Sequence, residues 1–216
     1  MIHELDSTFE RILYEQGKIN RRDVDIAFDA PTSEWSARVS RPTLNMWCFD
    51  LRENMRLRNA DLSTKTGKNG GIGRAAVPPR RYDLAYLLTS WARKMEDEHQ
   101  LLWRALGALM QVPLITEAMS VGDALKGQPY DIPVTVANPG EVHANITDLW
   151  SVLNNQMRLG FVVVATLALD TGRGFEAPLV FEKRLVFGQS SDPESETIET
   201  KDTEVVQKAD RSKIKP

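Results

Sequence analysis

The sequence is poor in the residues that make metal and redox chemistry. Its 216 residues hold one cysteine, Cys48, and three histidines, His3, His99 and His143. A single thiol excludes an internal disulfide and suits a reducing cytosol. The histidines stand far apart, without His-x-x-x-His or Cys-x-x-Cys spacing, so no zinc set is expected. No Gly-x-Ser-x-Gly elbow occurs, which leaves no serine positioned as a hydrolase nucleophile. No apolar run reaches the roughly 18 residues of a membrane span. Neither sign of charge dominates: Lys+Arg number 27 and Asp+Glu 30, for a net charge of −3. Bulk attraction to nucleic acid is therefore not expected. Met1-Ile2-His3-Glu4 has no positive region followed by an apolar run, so no secretory leader is expected. The sequon Asn145-Ile146-Thr147 would then not meet a glycosylating enzyme.

What is present includes a hexamer, Gly71-Ile72-Gly73-Arg74-Ala75-Ala76, with the letters of a dinucleotide-binding turn. That chemistry needs a buried strand running into the glycines and a helix opening after them, so that free N–H groups point at phosphate. The preceding Asp61-Leu62-Ser63-Thr64-Lys65 is no buried strand, and Pro78-Pro79 forbids a helix just beyond. Lys followed by Ser or Thr, which a phosphate-binding loop requires after its last glycine, is missing too. Residues 59–79 read instead as a mobile basic loop carrying Lys65, Lys68 and Arg74. No aromatic side chains are interleaved for base stacking. The loop suits protein docking better than nucleic acid.

Periodicity places the elements. Ile2, Leu5, Phe9, Ile12 and Leu13 share one helical face, with Gly17 as the stop. Val24, Ile26 and Phe28 alternate as a strand, and one short turn is expected around Trp35. From Thr43, residues Leu44, Met46, Cys48 and then Leu51 lie on one face, with Asn45, Trp47 and Phe49 on the other. Both faces of that strand should be covered. It is expected to run to Arg58 and to pair antiparallel with a strand from Arg80 to Trp91. A helix from Met95 to Val112 has Leu101, Leu102, Ala105, Leu106 and Leu109 as its stripe, Asp97 as its cap and Pro113 as its end. Residues 114–128 are ambiguous. Residues 131–137 read as an edge strand because of Pro133. A short helix should hold 148–153, capped by Asn145 or Thr147. Val162-Val163-Val164 marks a central strand, with 175–187 expected to return as its partner. The five tryptophans are expected in core or interface packing. Cys48, between Trp47 and Phe49, reads as a buried inert thiol. The acids Glu96, Asp97 and Glu98 read as complements to a helix dipole.

Beyond Gly188 the composition changes. Residues 189–216 contain no aromatic and only Ile198, Val205, Val206 and Ile214 as larger aliphatics. So little apolar area cannot offset ordering entropy, and a charged, disordered arm is expected. The expected class is thus α+β: one domain over 1–188, with a mixed, mainly antiparallel sheet packed by two or three helices.

Four stretches carry a resemblance: VDIAFDAPTSEWSARVSRPTLNMWCFDLREN (24–54), PPRRYDLAYLLTSWA (78–92), DEHQLLWRALGALM (97–110) and DLWSVLNNQMR (148–158). Together they resemble the cap, or tail-terminator, proteins of phage-tail-like contractile injection systems, across most of 1–188. The resemblance implies a structural protein without catalytic residues or cofactor. It implies a homohexameric ring at the end of the inner tube that stops tube and sheath polymerisation and holds the last sheath layer. Partners would be copies of itself, the inner-tube protein and the sheath protein, with assembly in the bacterial cytoplasm before incorporation into the particle. Trp35, Arg38 and Arg41 are the candidate subunit contact. Lys65, Lys68, Arg74, Ile198, Val205 and Val206 are the candidate tube or sheath contact, the last three as a strand added to an open sheet edge. A soluble adaptor for a protein partner and, further off, a nucleotide-binding enzyme are the alternatives.

Overall fold

The computed structural model describes residues 1–58, 63–65, 72–138, 146–170, 172, 174–178, 185–186 and 197–198. In chain order the elements are α1 (Ile2–Gln16), β1 (Asp25–Ala27), α2 (Ser33–Arg38), β2 (Thr43–Glu53), β3 (Ser63–Lys65), β4 (Ile72–Ala76), β5 (Arg80–Trp91) and α3 (Met95–Met110). Then come β6 (Leu114–Ile115), α4 (Asp123–Lys126), β7 (Ile132–Val136), α5 (Ile146–Val152), β8 (Gly160–Leu169), β9 (Gly174–Pro178), β10 (Leu185–Val186) and β11 (Thr197–Ile198). They fall into two compact units, one of Met1–Asn59 with Pro79–Asp170, the other of Ala60–Pro78 with Thr171–Pro216.

The larger unit is built on a six-stranded sheet in the order β1-β2-β5-β8-β7-β6. Only β1 runs parallel to its neighbour; the other pairings are antiparallel. The expected α+β class and mainly antiparallel sheet are what the structure shows. Both faces of the sheet are covered. On one face α1 contributes Leu5, Phe9, Ile12 and Leu13, and α3 contributes Leu101, Leu102, Ala105 and Leu109. They meet Leu44 and Met46 of β2, Leu84, Tyr86 and Leu88 of β5, and Val163 and Ala165 of β8. On the other face Ala85, Leu87 and Trp91 join Val162 and Val164, under Trp150 and Leu153 from α5 and its end. Trp35, Trp47 and Phe49 pack against that second cluster.

Strand β2 explains how one sequence serves both faces. Cys48 stands opposite Tyr86 and Asp50 opposite Ala85, so Phe49 is an extra residue, a bulge. It returns Leu51, opposite Leu84, to the face of Met46 and Cys48. The strand ends at Glu53, short of the expected Arg58. The Asn54 side chain there accepts from the backbone N–H groups of Arg56 and Leu57 and caps a 3-10 turn, Met55–Leu57.

Other expectations shift. The partner of β8 is not 175–187: β5 and β7 occupy its two sides, and of that segment β9 pairs with β4 and β10 with β11 instead. Strand β7 has the two-residue β6 outside it, with Pro133 opposite Leu114, so Pro133 lies one short strand in from the edge. The N-cap of α3 is Lys94, not Asp97, which sits in the first turn. Thr147 lies inside α5, its carbonyl accepting from the Ser151 hydroxyl at 3.1 Å; Asn145 is outside the described residues.

The smaller unit holds a three-stranded antiparallel sheet, β3-β4-β9, and the pair β10-β11. Within the stretch expected to be loop, two strands therefore form. Residues Ile72 to Ala76 of the glycine hexamer pair with β3 on one side and β9 on the other. Their N–H groups serve sheet ladders rather than a helix start, so the geometry of a dinucleotide turn is not made. Residues 59–62 and 66–71 and most of 189–216 lie outside the described residues.

Candidate functional site

The larger unit carries a cleft of about 420 Å³ at the end of β5. Four cations line it: Arg41, Arg93, Lys94 and Arg158, with Asp97 as the one acid. Val39, Pro42, Trp91 and Ala92 supply apolar surface. The chain order explains the convergence. Arg41 and Pro42 lead into β2, Ala92 to Lys94 join β5 to α3, and Arg158 leads into β8. Antiparallel pairing of β2 with β5 and of β5 with β8 brings these three chain ends together.

Two of the cations are fixed. Arg158 ion-pairs with Glu98, and its guanidinium lies over the Trp91 ring at 4.2 Å from the centroid. A stacked guanidinium of this kind keeps further N–H groups for other acceptors. Glu98 is itself held, because its Oε1 also accepts from the Ala92 N–H at 3.0 Å and its carbonyl accepts from the Ser90 hydroxyl at 2.8 Å. Arg41 bonds Asp25 at 2.9 Å and donates to the Arg22 carbonyl. Arg93 and Lys94 differ: both are exposed, and no side-chain partner faces either among the described residues.

The floor is braced from below. Trp35 meets Trp91 edge-on, ring centroids 5.3 Å apart at 80°. Helix α2 presents Trp35 because the Thr32 hydroxyl caps it, accepting from the Trp35 N–H at 3.2 Å. The Asn155 side-chain amide donates to the Pro31 carbonyl at 2.9 Å and to the Ser36 hydroxyl at 3.2 Å. That ties the approach to Arg158 to α2.

Of the residues singled out from sequence, Arg41 lines the cleft, Trp35 supports it from the core side, and Arg38 is exposed at the end of α2. Lys65 stands opposite Arg74 in the β3-β4 pairing, and Arg74 opposite Glu176 of β9. Ile198 is opposite Leu185 in the β10-β11 pair. Lys68, Val205 and Val206 lie outside the described residues. Sequence reasoning passed over Arg93, Lys94 and Arg158. The signal was the dipeptide Arg93-Lys94 between a strand and a helix, but Arg158 is more than sixty positions away.

A second surface feature belongs to α3. Trp103 is 75% exposed and Met110, two turns on, 65%. Trp103 thus departs from a core role, whereas Trp91 and Trp150 are buried. Cys48 is half-buried, and burial, reinforced by the Asp6 carboxylate, pushes its thiol above the ordinary range. That keeps the thiol protonated, as an inert side chain. Among the described residues no group of three or more His, Cys, Asp or Glu could hold a metal. No described helix is long and apolar enough to cross a membrane.

The Pvc16 N-terminal domain family matches residues 4–182. No curated protein matches the sequence. Among solved structures, one described as the sheath/tube terminator of an extracellular contractile injection system, PVC, in its extended state, aligns with a TM-score of 0.59 and 21% identity over 90% of this chain. Another, described as the tube-terminating cap of the anti-feeding prophage, AFP, aligns with a TM-score of 0.57 and 20% identity over 83% of this chain. The chain spans 65% of the first and 58% of the second. At these identities the likeness is one of fold.

Proposed function

The chain belongs to the Pvc16 N-terminal domain family, and from that premise we propose that it is a terminator of a contractile injection system. It ends polymerisation of the inner tube and the sheath and anchors the last sheath layer. The observation that carries this is the shared fold: a mixed sheet covered on both faces, aligned along most of its length with two proteins described as terminators. In this reading the protein works by presenting surfaces. The exposed Trp103 and Met110 on α3 suit it, because large aromatic and Met side chains are what buried interface centres use.

The ring is a closed homohexamer, in which one surface patch of each copy meets a different patch of the next until the rotation closes. Arg38 and Arg41 are candidates for that contact, with Trp35 holding the patch from beneath. Lys65, Lys68, Arg74, Ile198, Val205 and Val206 are candidates for contact with tube or sheath. Assembly takes place in the bacterial cytoplasm, and the protein then remains in the particle.

Electron microscopy of particles from cells with and without the gene tests the role. Tubes of uncontrolled length, or sheaths lost from their tubes, are expected in its absence. Uniform, fully sheathed particles without the gene would refute it.

A further inference from the structure

We propose that the cleft at the end of β5 binds an acidic peptide segment of a partner protein. Three observations lead there. With Arg41 paired to Asp25 and Arg158 to Glu98, Arg93 and Lys94 still outnumber Asp97, the only acid in its lining. Arg41 and Arg158 are held in place by Asp25, Glu98 and the Trp91 ring, so little side-chain freedom is lost when a ligand arrives. Arg93 and Lys94 are exposed and face no side-chain partner among the described residues, so their charge is available to carboxylates.

The floor decides which anion. Val39 and Pro42 give the cleft apolar surface, which free phosphate cannot use but a side chain between two carboxylates can. The cavity, about 420 Å³, exceeds what one small anion fills. Stacking does not favour a nucleobase, because the Trp91 face is already covered by Arg158. The fitting ligand is an extended peptide in which Asp or Glu alternates with an apolar residue. That this peptide belongs to a sheath or tube subunit rests on the terminator reading; the binding itself does not.

The test uses the full chain and a fluorescein-labelled octapeptide repeating Asp-Leu-Glu-Ser, read by fluorescence anisotropy. Saturable binding that weakens as salt is raised is expected. The double substitution Arg93→Glu with Lys94→Glu should weaken it by about tenfold or more, with an unchanged melting temperature because neither side chain is packed. The same peptide with Asn and Gln for its acids should bind at least about tenfold more weakly. Absence of binding, or equal binding by the variant or the neutral peptide, would overturn the proposal. So would displacement of the peptide by inorganic phosphate or oligothymidylate at a lower concentration than by unlabelled peptide. Self-association lost in the variant, with no peptide bound, would replace the peptide by a second copy of the chain. Loss of binding in the variant together with tubes of normal length in the gene deletion would retain the site and remove the terminator reading.

Discussion

Tyr86, in the middle of the sheet, donates its phenolic hydrogen to Asp6 of α1 at 2.7 Å, a bond closed across 80 residues. Tyr86 is fully buried, and Phe9 stands edge-on to its ring at 5.4 Å. Burial pushes the Tyr86 hydroxyl far above its ordinary value, so it serves as a donor. Burial likewise raises the Asp6 carboxyl above 3.8, while the Tyr86 bond, His3 and the N-terminus pull it partly back. One polar bond thus aligns α1 on an otherwise apolar face.

Replacing Tyr86 by Phe leaves Asp6 without its donor. A loss of about 1–3 kcal/mol is expected from one buried partner left unpaired, measured by denaturant unfolding. Asp6 tests the same bond through pH. Its folded value is raised, so the stability it contributes is complete below the unfolded value and is lost as pH rises through the folded one. Asp6→Asn should therefore gain on the native protein as pH rises from about 4 to about 7, by about 1 kcal/mol or less since the group is half-exposed. Parallel stability curves for the two proteins across that range would refute this.

Gly160 opens β8 opposite Thr89. A Cβ there would lie 2.6 Å from the Leu88 carbonyl oxygen and 2.9 Å from the Thr89 methyl. Since the nearer obstacle is backbone, the strands must separate to admit it. Gly160→Ala is expected to cost about 1–3 kcal/mol. An unchanged melting temperature would show that the ladder gives way freely.

Thr8 joins α1 to the segment before α4. Its hydroxyl donates to the Glu4 carbonyl at 2.7 Å and accepts from the Val121 N–H at 2.9 Å. Thr8→Val has almost the same shape and removes both bonds. The Val121 N–H then has no partner, and about 1–3 kcal/mol should be lost. Amide exchange at Val121 faster than in the native protein locates the cause.

Trp35 separates internal packing from subunit contact. Trp35→Ala removes the edge-on pair with Trp91 and half-buried apolar area, an expected loss of about 2–3 kcal/mol. Arg38→Ala, at an exposed site, should change stability by less than about 0.5 kcal/mol. Trp103→Ser with Met110→Ser should be equally mild for folding but reduce ring formation, read by light scattering or electron microscopy. Full ring formation by that double variant would remove α3 from the interface.

Much of this fold could be read directly from periodicity. The α1 stripe from Leu5 to Leu13, the two-faced alternation of β2 and β5, and the triple valine of β8 each state a local rule, because a side chain's face follows from its position in a 3.6- or two-residue repeat. The end of β2 at Glu53 and the cap of α3 at Lys94 lie a few residues from where periodicity puts them. There, competing local hydrogen bonds decide, the Asn54 cap among them. The partner of β8 differs from expectation because β5 and β7 take both its sides, which leaves Phe175–Pro178 to pair with β4.

By itself the sequence determined the helices α1 and α3, the strands β2, β5 and β8, and that both faces of these central strands are covered, but not the strands β3 and β4 inside 59–79 or the elements of 114–128. Those properties depend on neighbours within a few positions. Tertiary structure alone decided the strand order, the exposure of Trp103, and the meeting of Arg41, Arg93, Lys94 and Arg158 around Trp91. Those depend on which strand ends lie side by side, and that is set by the packing of α1 and α3 on one face of the sheet and of α2 and α5 on the other.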